Sequence, residues 1–508
     1  MQTREQYNGV FLSSDGQFTG LLNISGAESI LKIVGKKRFF GHPGTECIDI
    51  HGFLNDGKKV SLLDCVLHGK TQYRSDENAQ FEDIFFPNYV VAGEQFIHSD
   101  EPVIKAIRYH FENVSCLLSQ HETFKSLMPD ADEVHRILEA DHNRQEKIAE
   151  EYGWPKRPFK PQIGEHPHLL YFSGLWEIMA CESKIGKVSL TNRTSHNIGS
   201  ARGIGISNQV TANIEFSEPK TLSATIRSLY TLHGLFELSL GQRQRYHWIE
   251  LELIHRSKAS DHDIPQIARL YWSLCNERVE SDSKMRLGDV LLAADRRPEE
   301  FAKVVTGWMN SSETMGDPRE RFATAFFGSY DINRIVGAAN MFDLLPESHA
   351  PKVKEADAVL KEATMQCRKI FKDLPDSFSK QSVLSALGRI GKASLRDKVY
   401  HRADKVIAAA AGKFPELHLP CNHAVLSRNH YVHGSKGTFD YQEHFTEFAF
   451  ITDTLEFIFA VSDLLDLGWD FKGWMDEGLS MMHPFGSYAV NYPQNISRLK
   501  ALVGKQIL

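Results

Sequence analysis

The sequence predicts an α+β multidomain protein, with a β-rich N-terminal region that contains inserted helices and an all-α helical bundle at the C-terminal end. Short alternating apolar runs occupy the first half of the chain, and helical periodicity dominates the second half. At 508 residues the chain also exceeds the size at which a single hydrophobic core keeps growing. We therefore expect two or three domains.

The first third of the chain carries strand patterns. The segments "ECIDIHGFL" and "GKKVSLLDCVL" are alternating or short apolar runs, and the turn residues "NDGKK" lie between them. This pattern predicts a half-buried antiparallel sheet. Residues 126–161 are instead charged and helical in spacing, and they end in prolines that stop a helix. They indicate a connector between two β-containing units.

A second mixed unit follows the connector. In "TLSATIRSLYTLHG" the spacing of Leu222, Ile226 and Leu229 predicts a helix that ends at Gly234. The segments "LFELSLG" and "YHWIELELI" then alternate as paired strands do. Strand patterns nearly vanish after roughly residue 260, which indicates that the remainder is helical.

Two segments of the second half show strong helical periodicity. The segment "EADAVLKEATMQCRKIF" places six residues on one apolar stripe, namely Val359, Leu360, Ala363, Cys367, Ile370 and Phe371. The segment "YQEHFTEFAFITDTLEFIFAVSDLLDL" is longer and more apolar, yet it carries acidic residues along its length. Because such charges are costly inside a bilayer, the second segment predicts a buried helix rather than a membrane span.

The stretch "SSETMGDPRER", residues 311–321, predicts a hinge between the two halves. This position divides the chain into an N-terminal region, residues 1–312, and a helical domain, residues 318–508. A further break within the N-terminal region is expected near residues 126–161.

Composition excludes several classes of protein. The net charge of −7, with 24% charged and 42% hydrophobic residues, is typical of a soluble globular protein and excludes a strongly basic nucleic-acid coat. The seven cysteines form no C-x-x-C pair, which argues against disulfides and a cysteine zinc site. His166 and His168 lack further ligands at metal spacing, so no metal or cofactor is predicted. The start "MQTREQYNGV" lacks a secretory apolar core, and we expect a cytoplasmic protein with no membrane partner.

One short segment, "LSRNHYVHG", concentrates residues suited to phosphodiester chemistry. Arg428 is permanently cationic, His433 can exchange a proton near neutral pH, and Asn429 can orient either of them. Asn429 and His433 are four residues apart and share a helix face, and the long side chain of Arg428 can reach back to them. Gly434 follows directly and predicts the helix end.

A structural role explains the same three residues equally well on spacing alone, because a histidine at a helix C-terminus is favoured by the helix dipole. A basic stripe in the preceding segment favours a polyphosphate partner such as RNA, although a solvated helix face explains it nearly as well. Its members are Arg389, Lys392, Arg396, Lys398, Arg402 and Lys405.

The pattern R-N-x-x-x-H at the end of a helical bundle closely resembles the signature of HEPN domains, whose catalytic members are metal-independent ribonucleases. Arg428, Asn429 and His433 fall on that pattern. The segments "GVFLSSDGQFTGLLNIS", "IDIHGFLNDGKKVSLLDCVL", "NYVVAGEQF" and "PKTLSATIRSLYTLHGLFELSLGQ" resemble, in order, blocks of the ApeA N-terminal domain. That domain precedes an HEPN domain in bacterial anti-phage proteins.

The resemblance implies an abortive-infection effector. A C-terminal HEPN endoribonuclease would cleave cellular or phage RNA by 2′-hydroxyl attack when a phage-derived trigger acts through the N-terminal region. Arg428, Asn429 and His433 would be catalytic, and a homodimer or larger homo-oligomer is implied because HEPN enzymes pair two copies of the motif. Asn340, in "RIVGAANMFDLLPES", stands where relatives often carry an acidic side chain, so no auxiliary acid is assigned.

Two other classes stay open at this point. One is a non-catalytic HEPN fold that binds a nucleotide or a protein with the same residues. The other is a ligand-binding protein that acts through its β domain, for which the helices serve only in assembly.

Overall fold

The computed structural model describes residues 5–14, 16–39, 47–75, 78–118, 123–156, 158–200, 203–259, 262–274, 285, 289–352, 358–437 and 439–504. The strands in these ranges are β1 (Glu5–Ser13), β2 (Gly16–Ile24), β3 (Ile30–Gly35), β4 (Ile48–Leu54), β5 (Lys59–Ser75), β6 (Asn78–Gly93), β7 (Ile104–Phe111), β8 (Phe124–Leu127), β9 (Leu169–Phe172), β10 (Glu177–Ser183), β11 (Gly186–Ser200), β12 (Gly203–Lys220), β13 (Tyr246–Ala259) and β14 (His262–Trp272).

The first six strands close into an antiparallel barrel. Their order is β6-β3-β2-β1-β4-β5, and a further pairing of β5 with β6 closes the ring. Alternate residues of these strands point inward, so that Phe11, Leu22, Leu31 and Phe85 are buried in one core. The later part of β6 also pairs with β14, from Tyr89 to Ala92, and joins the barrel to a second, open sheet.

The open sheet has the order β10-β11-β12-β7-β13-β14, and all of its pairings are antiparallel. Helix α1 (Ala131–Glu151) lies between β8 and β9 in the chain, and none of its residues is buried. A capping box of Asp130 and Glu133 fixes its start. The expectation of a charged helix near residues 126–161 is therefore confirmed.

Helix α2 (Leu222–Leu240) packs on the open sheet and corrects one sequence prediction. The segment "LFELSLG" was expected to be a strand after a stop at Gly234, but the helix continues through Gly234 to Leu240. A Cβ atom at Gly234 would have no heavy atom within 4 Å, so a side chain would fit there, and the helix runs on through this residue. Gly241 ends it instead, with φ of +68°.

The remaining helices are α3 (Pro298–Asn310), α4 (Ser312–Phe326), α5 (Ile332–Asp343), α6 (Ala358–Lys372), α7 (Phe378–Arg389), α8 (Leu395–Ala409), α9 (His418–His433), α10 (Phe445–Asp466), α11 (Phe471–Asp476) and α12 (Pro484–Gly504). The predicted all-α region is thus confirmed. Strand β14 extends twelve residues beyond the expected limit of residue 260, to Trp272. Most of the segment expected to be a hinge, residues 311–321, forms helix α4, and its role as a hinge stays a prediction.

Helix α10 is the central helix of the bundle, as its sequence predicts. Fifteen of its residues are buried, including Glu456 and Asp463. Three arginines from α4, α5 and α8 neutralise three of its acidic side chains. The pairs are Arg319–Asp463, Arg334–Glu456 and Arg402–Asp466. Of the helices in the described ranges, none combines the length and the apolar content that a membrane crossing requires.

Helices α6 and α7 form a hairpin that stands apart from the bundle core. The predicted apolar stripe of α6 is helical, but none of its residues is buried. Val359 and Ile370 are 75% and 62% exposed. The periodicity therefore predicts the helix correctly and its burial incorrectly.

A single hydrophobic core runs from the open sheet into the helical bundle. It includes Ile107 of β7, Leu229 of α2, Phe301 of α3, Phe322 of α4 and Phe459 of α10. Helix α3 joins the two parts by a further contact, since Trp308 Nε1 donates to the backbone oxygen of Thr231 at 2.8 Å. The division of the chain at residues 312–318 stays a prediction, and the core is continuous across that position.

Candidate active site

Helix α9 positions the R-N-x-x-x-H residues. Its buried face, with Cys421, Ala424 and Val425, packs into the bundle core. The helix ends at Gly434, which has φ of +66° and donates its backbone N–H to His430 O. This end leaves His433 exposed in the last helical turn, where a substrate can reach it.

The structure brings Arg428, Asn429 and His433 into direct contact. Arg428 Nη1 donates to Nε2 of His433 at 3.1 Å and to Oδ1 of Asn429 at 3.2 Å. The long arginine side chain thus reaches back along the helix, as the sequence predicts. The three groups form one cluster at the C-terminal end of α9.

This contact defines the tautomer of His433. A guanidinium group has no acceptor atom, so it must be the donor in the hydrogen bond to Nε2. Nε2 therefore carries no proton and accepts this hydrogen bond with its lone pair, and the ring proton of the neutral imidazole lies on Nδ1. In this arrangement Nε2 of His433 is the atom able to accept a proton from a substrate.

Helix α5 holds Arg428 from the other side. Arg428 Nη2 donates to Oδ1 of Asn340 at 3.2 Å and to Oδ2 of Asp343 at 3.2 Å. Asn340 and Asp343 are three residues apart and so share one face of α5. Asp343 is thus an acidic side chain beside Arg428, at a place where the sequence reasoning assigned no acid. In the sequence, only the three-residue spacing from Asn340 points to Asp343. That spacing does not indicate a contact with Arg428 until the packing of α5 against α9 is known.

Most of the Arg428 side chain is covered. It is 15% exposed, while that of Asp343 is 43% exposed. Within the described part of the chain, Nε of Arg428 is buried and has no hydrogen-bond partner. The Nη groups accordingly make all of its hydrogen bonds. Nη1 donates to residues of α9, and Nη2 donates to residues of α5.

The two other histidines of α9 are placed differently. His430 is exposed, and its Nδ1 lies 2.6 Å from the backbone oxygen of Ser435. His423 is buried, and burial lowers the pKa of its imidazole below the usual range. Neither histidine contacts Arg428 in the structure, whereas His433 does.

Only part of the predicted basic stripe lies at the protein surface. Lys392 and Arg396 are exposed and make no ion pair among the described residues. Lys398 lies at the edge of the site, because its Nζ donates to the backbone oxygen of Asp343 at 2.9 Å. Lys405 pairs with Asp466 at 2.6 Å. The side chain of Arg389 lies outside the described residues.

Arg402 was predicted to bind RNA, and this prediction is wrong. Its side chain is 0% exposed. Its Nε donates to Ser462 Oγ at 2.7 Å, and its Nη1 pairs with Asp466. Because the guanidinium group is enclosed between α8 and α10, Arg402 is part of the core and cannot contact RNA without unfolding.

No group of three or more histidine, cysteine, aspartate or glutamate side chains within the described ranges is arranged to hold a metal ion. His166 and His168 are both exposed. The functional groups clustered at the end of α9 are a guanidinium cation, an amide and an imidazole.

Comparisons with known families match both parts of the chain. The model for ApeA N-terminal domain 1 matches residues 6–153 and 182–308, which is more than half of the chain, and the model for the Apea-like HEPN domain matches residues 336–472. Neither a curated protein nor a solved structure matches the chain. The HEPN match contains α9 and the part of α5 that carries Asn340 and Asp343, and so all of the described residues that form hydrogen bonds with the Arg428 side chain. The pair of domains supports an anti-phage protein that contains an HEPN domain. The chain therefore belongs to the ApeA family, with an ApeA N-terminal domain followed by an ApeA-like HEPN domain.

Proposed function

We propose that the protein is a metal-independent endoribonuclease that acts as an abortive-infection effector against phage. The observation that carries this proposal is the hydrogen bond between Arg428 and His433 at an exposed helix end, with Arg428 held by Asn340 and Asp343. A fixed cation beside an imidazole whose Nε2 carries no proton suits cleavage of a phosphodiester. Membership of the HEPN family, whose domains are usually ribonucleases, supports the same reaction.

The proposed reaction uses the 2′-hydroxyl of RNA as nucleophile. His433 Nε2 takes its proton, the 2′-oxygen bonds to phosphorus, and the bond from phosphorus to the 5′-oxygen breaks. Arg428 donates to the phosphate oxygens as negative charge accumulates on them. Since Arg428 Nη1 occupies the lone pair of Nε2 in the free protein, a bound phosphate must draw this hydrogen bond away before His433 can act as a base. Asn429 accepts from Arg428 and keeps it directed toward this position.

The leaving 5′-oxygen needs a proton, and this requirement implies a second subunit. In one chain the cluster offers one histidine, because His423 is buried and His430 faces Ser435. A homodimer that joins two clusters would supply a protonated histidine from one chain and a neutral one from the other. We therefore propose that two chains share the site, or that a larger homo-oligomer does.

The N-terminal region is proposed to receive the trigger. Arg243, which follows α2, donates through Nη2 to the backbone oxygen of Ala323 in α4 at 3.3 Å and lies over the ring of Phe327. Arg319 of the same helix pairs with Asp463 of α10. These contacts connect the segment after α2 to α4, and α4 to the central helix α10. A trigger that changes the N-terminal region could alter the helical bundle through them.

The products of cleavage test the proposed chemistry. RNA cut by the purified protein should carry 2′,3′-cyclic phosphate and 5′-hydroxyl ends, and EDTA should leave the rate unchanged, because no step needs a metal. Sequencing of RNA ends, with and without phosphatase and kinase treatment, makes the measurement. Cleavage that stops in EDTA and leaves 5′-phosphates would exclude this mechanism.

Mixing of subunits tests the shared site. If each site needs a histidine from both chains, His433→Ala subunits should poison wild-type partners. After full exchange, activity should fall roughly as the square of the wild-type fraction, so that an equal mixture keeps about a quarter of the activity rather than half. Pull-down of differently tagged chains confirms the exchange. A linear decline would show that each chain acts alone.

A further inference from the structure

A second cleft lies at the opposite end of α5 from the proposed active site. It has a volume of about 550 Å³ and lies between the segment before α5 and the first halves of α10 and α12. Six of the fifteen described residues that line it are aromatic, with Tyr330, Phe445, Phe450, Phe485 and Tyr488 among them. This size and this lining are typical of sites for small organic molecules.

The charges in the cleft do not cancel. Arg334 forms two hydrogen bonds to Glu456, from Nε at 2.9 Å and from Nη2 at 2.8 Å. Its remaining group, Nη1, donates to the backbone oxygen of Gly328 at 2.9 Å. Arg334 is thus bound most closely to Glu456 and Gly328, and its contact with the second carboxylate, Asp453, is a longer ion pair of 3.7 Å from Nη2 to Oδ1.

Asp453 is left with one oxygen that faces the cleft. Its Oδ1 accepts a hydrogen bond from the hydroxyl of Tyr330 at 2.6 Å. Its Oδ2 accepts none from the described residues, and the side chain is 33% exposed. Arg334 is the only lysine or arginine among the described residues that line the cleft, so one cation is shared by the two carboxylates of Glu456 and Asp453, and the carboxylates outnumber the cations by one.

The aromatic walls favour the same kind of ligand as the carboxylate. Tyr330 and Phe445 are 40% and 47% exposed at the opening of the cleft, and their rings meet edge to face with centroids 6.1 Å apart. The faces of aromatic rings attract cations, and they also provide flat apolar contact. A hydrated metal ion would gain little from such walls, whereas a planar organic cation would use both the rings and Asp453.

We propose that this cleft binds a small planar organic cation, such as an aromatic amidinium or an aromatic amine, with its charged group on Asp453 Oδ2 and its ring against Phe445 and the face of Tyr330 that Arg334 leaves open. The site is separate from the R-N-x-x-x-H cluster. It shares α5 with that cluster, because Arg334 lies near the start of the helix and Asn340 and Asp343 lie near its end.

The test uses three probes of nearly equal shape, which are benzamidine, benzamide and benzoate. They are titrated by ligand-observed NMR against the full-length His433→Ala protein, so that the result does not depend on ribonuclease activity. Benzamidine should bind about tenfold more tightly than benzamide, because only the cation forms charge-assisted hydrogen bonds to Asp453. Benzoate should bind least, since its charge repels that of Asp453.

Three variants locate the binding. Asp453→Asn should remove the preference for benzamidine over benzamide, while Asp376→Asn, which neutralises an exposed aspartate on the α6–α7 hairpin, should keep it. Ala449→Trp fills the cleft from a half-buried position of α10 and keeps every charge, so it should reduce binding of all probes. Equal affinity for benzamidine and benzamide, no binding of benzamidine, or an unchanged preference in Asp453→Asn would overturn the proposal. If Asp453→Asn fails to fold, undiminished binding to Ala449→Trp overturns it equally.

Discussion

Replacing His433 by alanine is expected to lower the rate of RNA cleavage by about 10²–10⁴-fold, which is the usual contribution of a positioned general acid or base. The loss should appear in the chemical step, because Nε2 of His433 is the acceptor atom beside Arg428. Stability should change little, since His433 is exposed in the last turn of α9. Single-turnover cleavage of a labelled RNA measures the rate, and urea denaturation checks the fold.

His430→Ala is the matched control for this substitution. His430 lies on the same helix, is also exposed, and contacts Ser435 O rather than Arg428. Its replacement should change the cleavage rate only a few-fold, because it removes no group from the cluster. Equal losses in the two variants would assign the proton transfer to another residue and would contradict the role proposed for His433.

The sequence predicts the centre of the site but not its support. Arg428, Asn429 and His433 lie within six positions of one helix, so helical geometry alone brings them together. Asp343 lies on another helix, 85 residues earlier in the chain. Its contact with Arg428 depends on how α5 packs against α9, and local spacing contains no information about that packing.

Buried polar residues explain why one strand was predicted in place of a helix. In "LFELSLG" the polar residues Glu237 and Ser239 alternate with apolar ones, a pattern that indicates a strand with one solvated face. Both are instead buried in α2. Glu237 accepts from Arg243 at 2.7 Å, and Ser239 Oγ accepts from the backbone N–H of Leu292 at 3.0 Å. Partners outside the helix, six and 53 residues further along the chain, thus replace the water that the pattern implies.

Arg402 likewise is a charged residue that the sequence places at the surface and the fold buries. Replacing it by methionine is expected to lower the free energy of unfolding by about 3–5 kcal/mol, the usual cost of removing one partner from a buried ion pair. The variant would leave Ser462 without its donor and Asp466 with Lys405 and the more distant His349. Urea denaturation at neutral pH measures the change. The affinity for RNA of the folded variant should stay as in the wild type, because the side chain never reaches the surface.

Lys405→Met is the control, since Lys405 binds the same Asp466 but is 33% exposed. Its loss should cost no more than about 1 kcal/mol, as is usual for solvent-exposed pairs. The dependence on pH separates the ion pair from simple packing. Burial tends to raise the pKa of Asp466, but Arg402 and Lys405 outweigh it and hold the pKa below the usual range.

A lowered pKa in the folded state means that the contribution of Asp466 to stability is complete above its unfolded pKa, near 4, and is lost as the pH falls through the folded value. The difference in stability between wild type and Arg402→Met should therefore narrow as the pH is lowered from 7 toward 3, because a protonated Asp466 no longer attracts Arg402. A difference that stays constant over this range would show that Arg402 stabilises the bundle by packing and hydrogen bonding alone. A cost no larger than that of Lys405→Met would show that the pair contributes little to the stability of the fold.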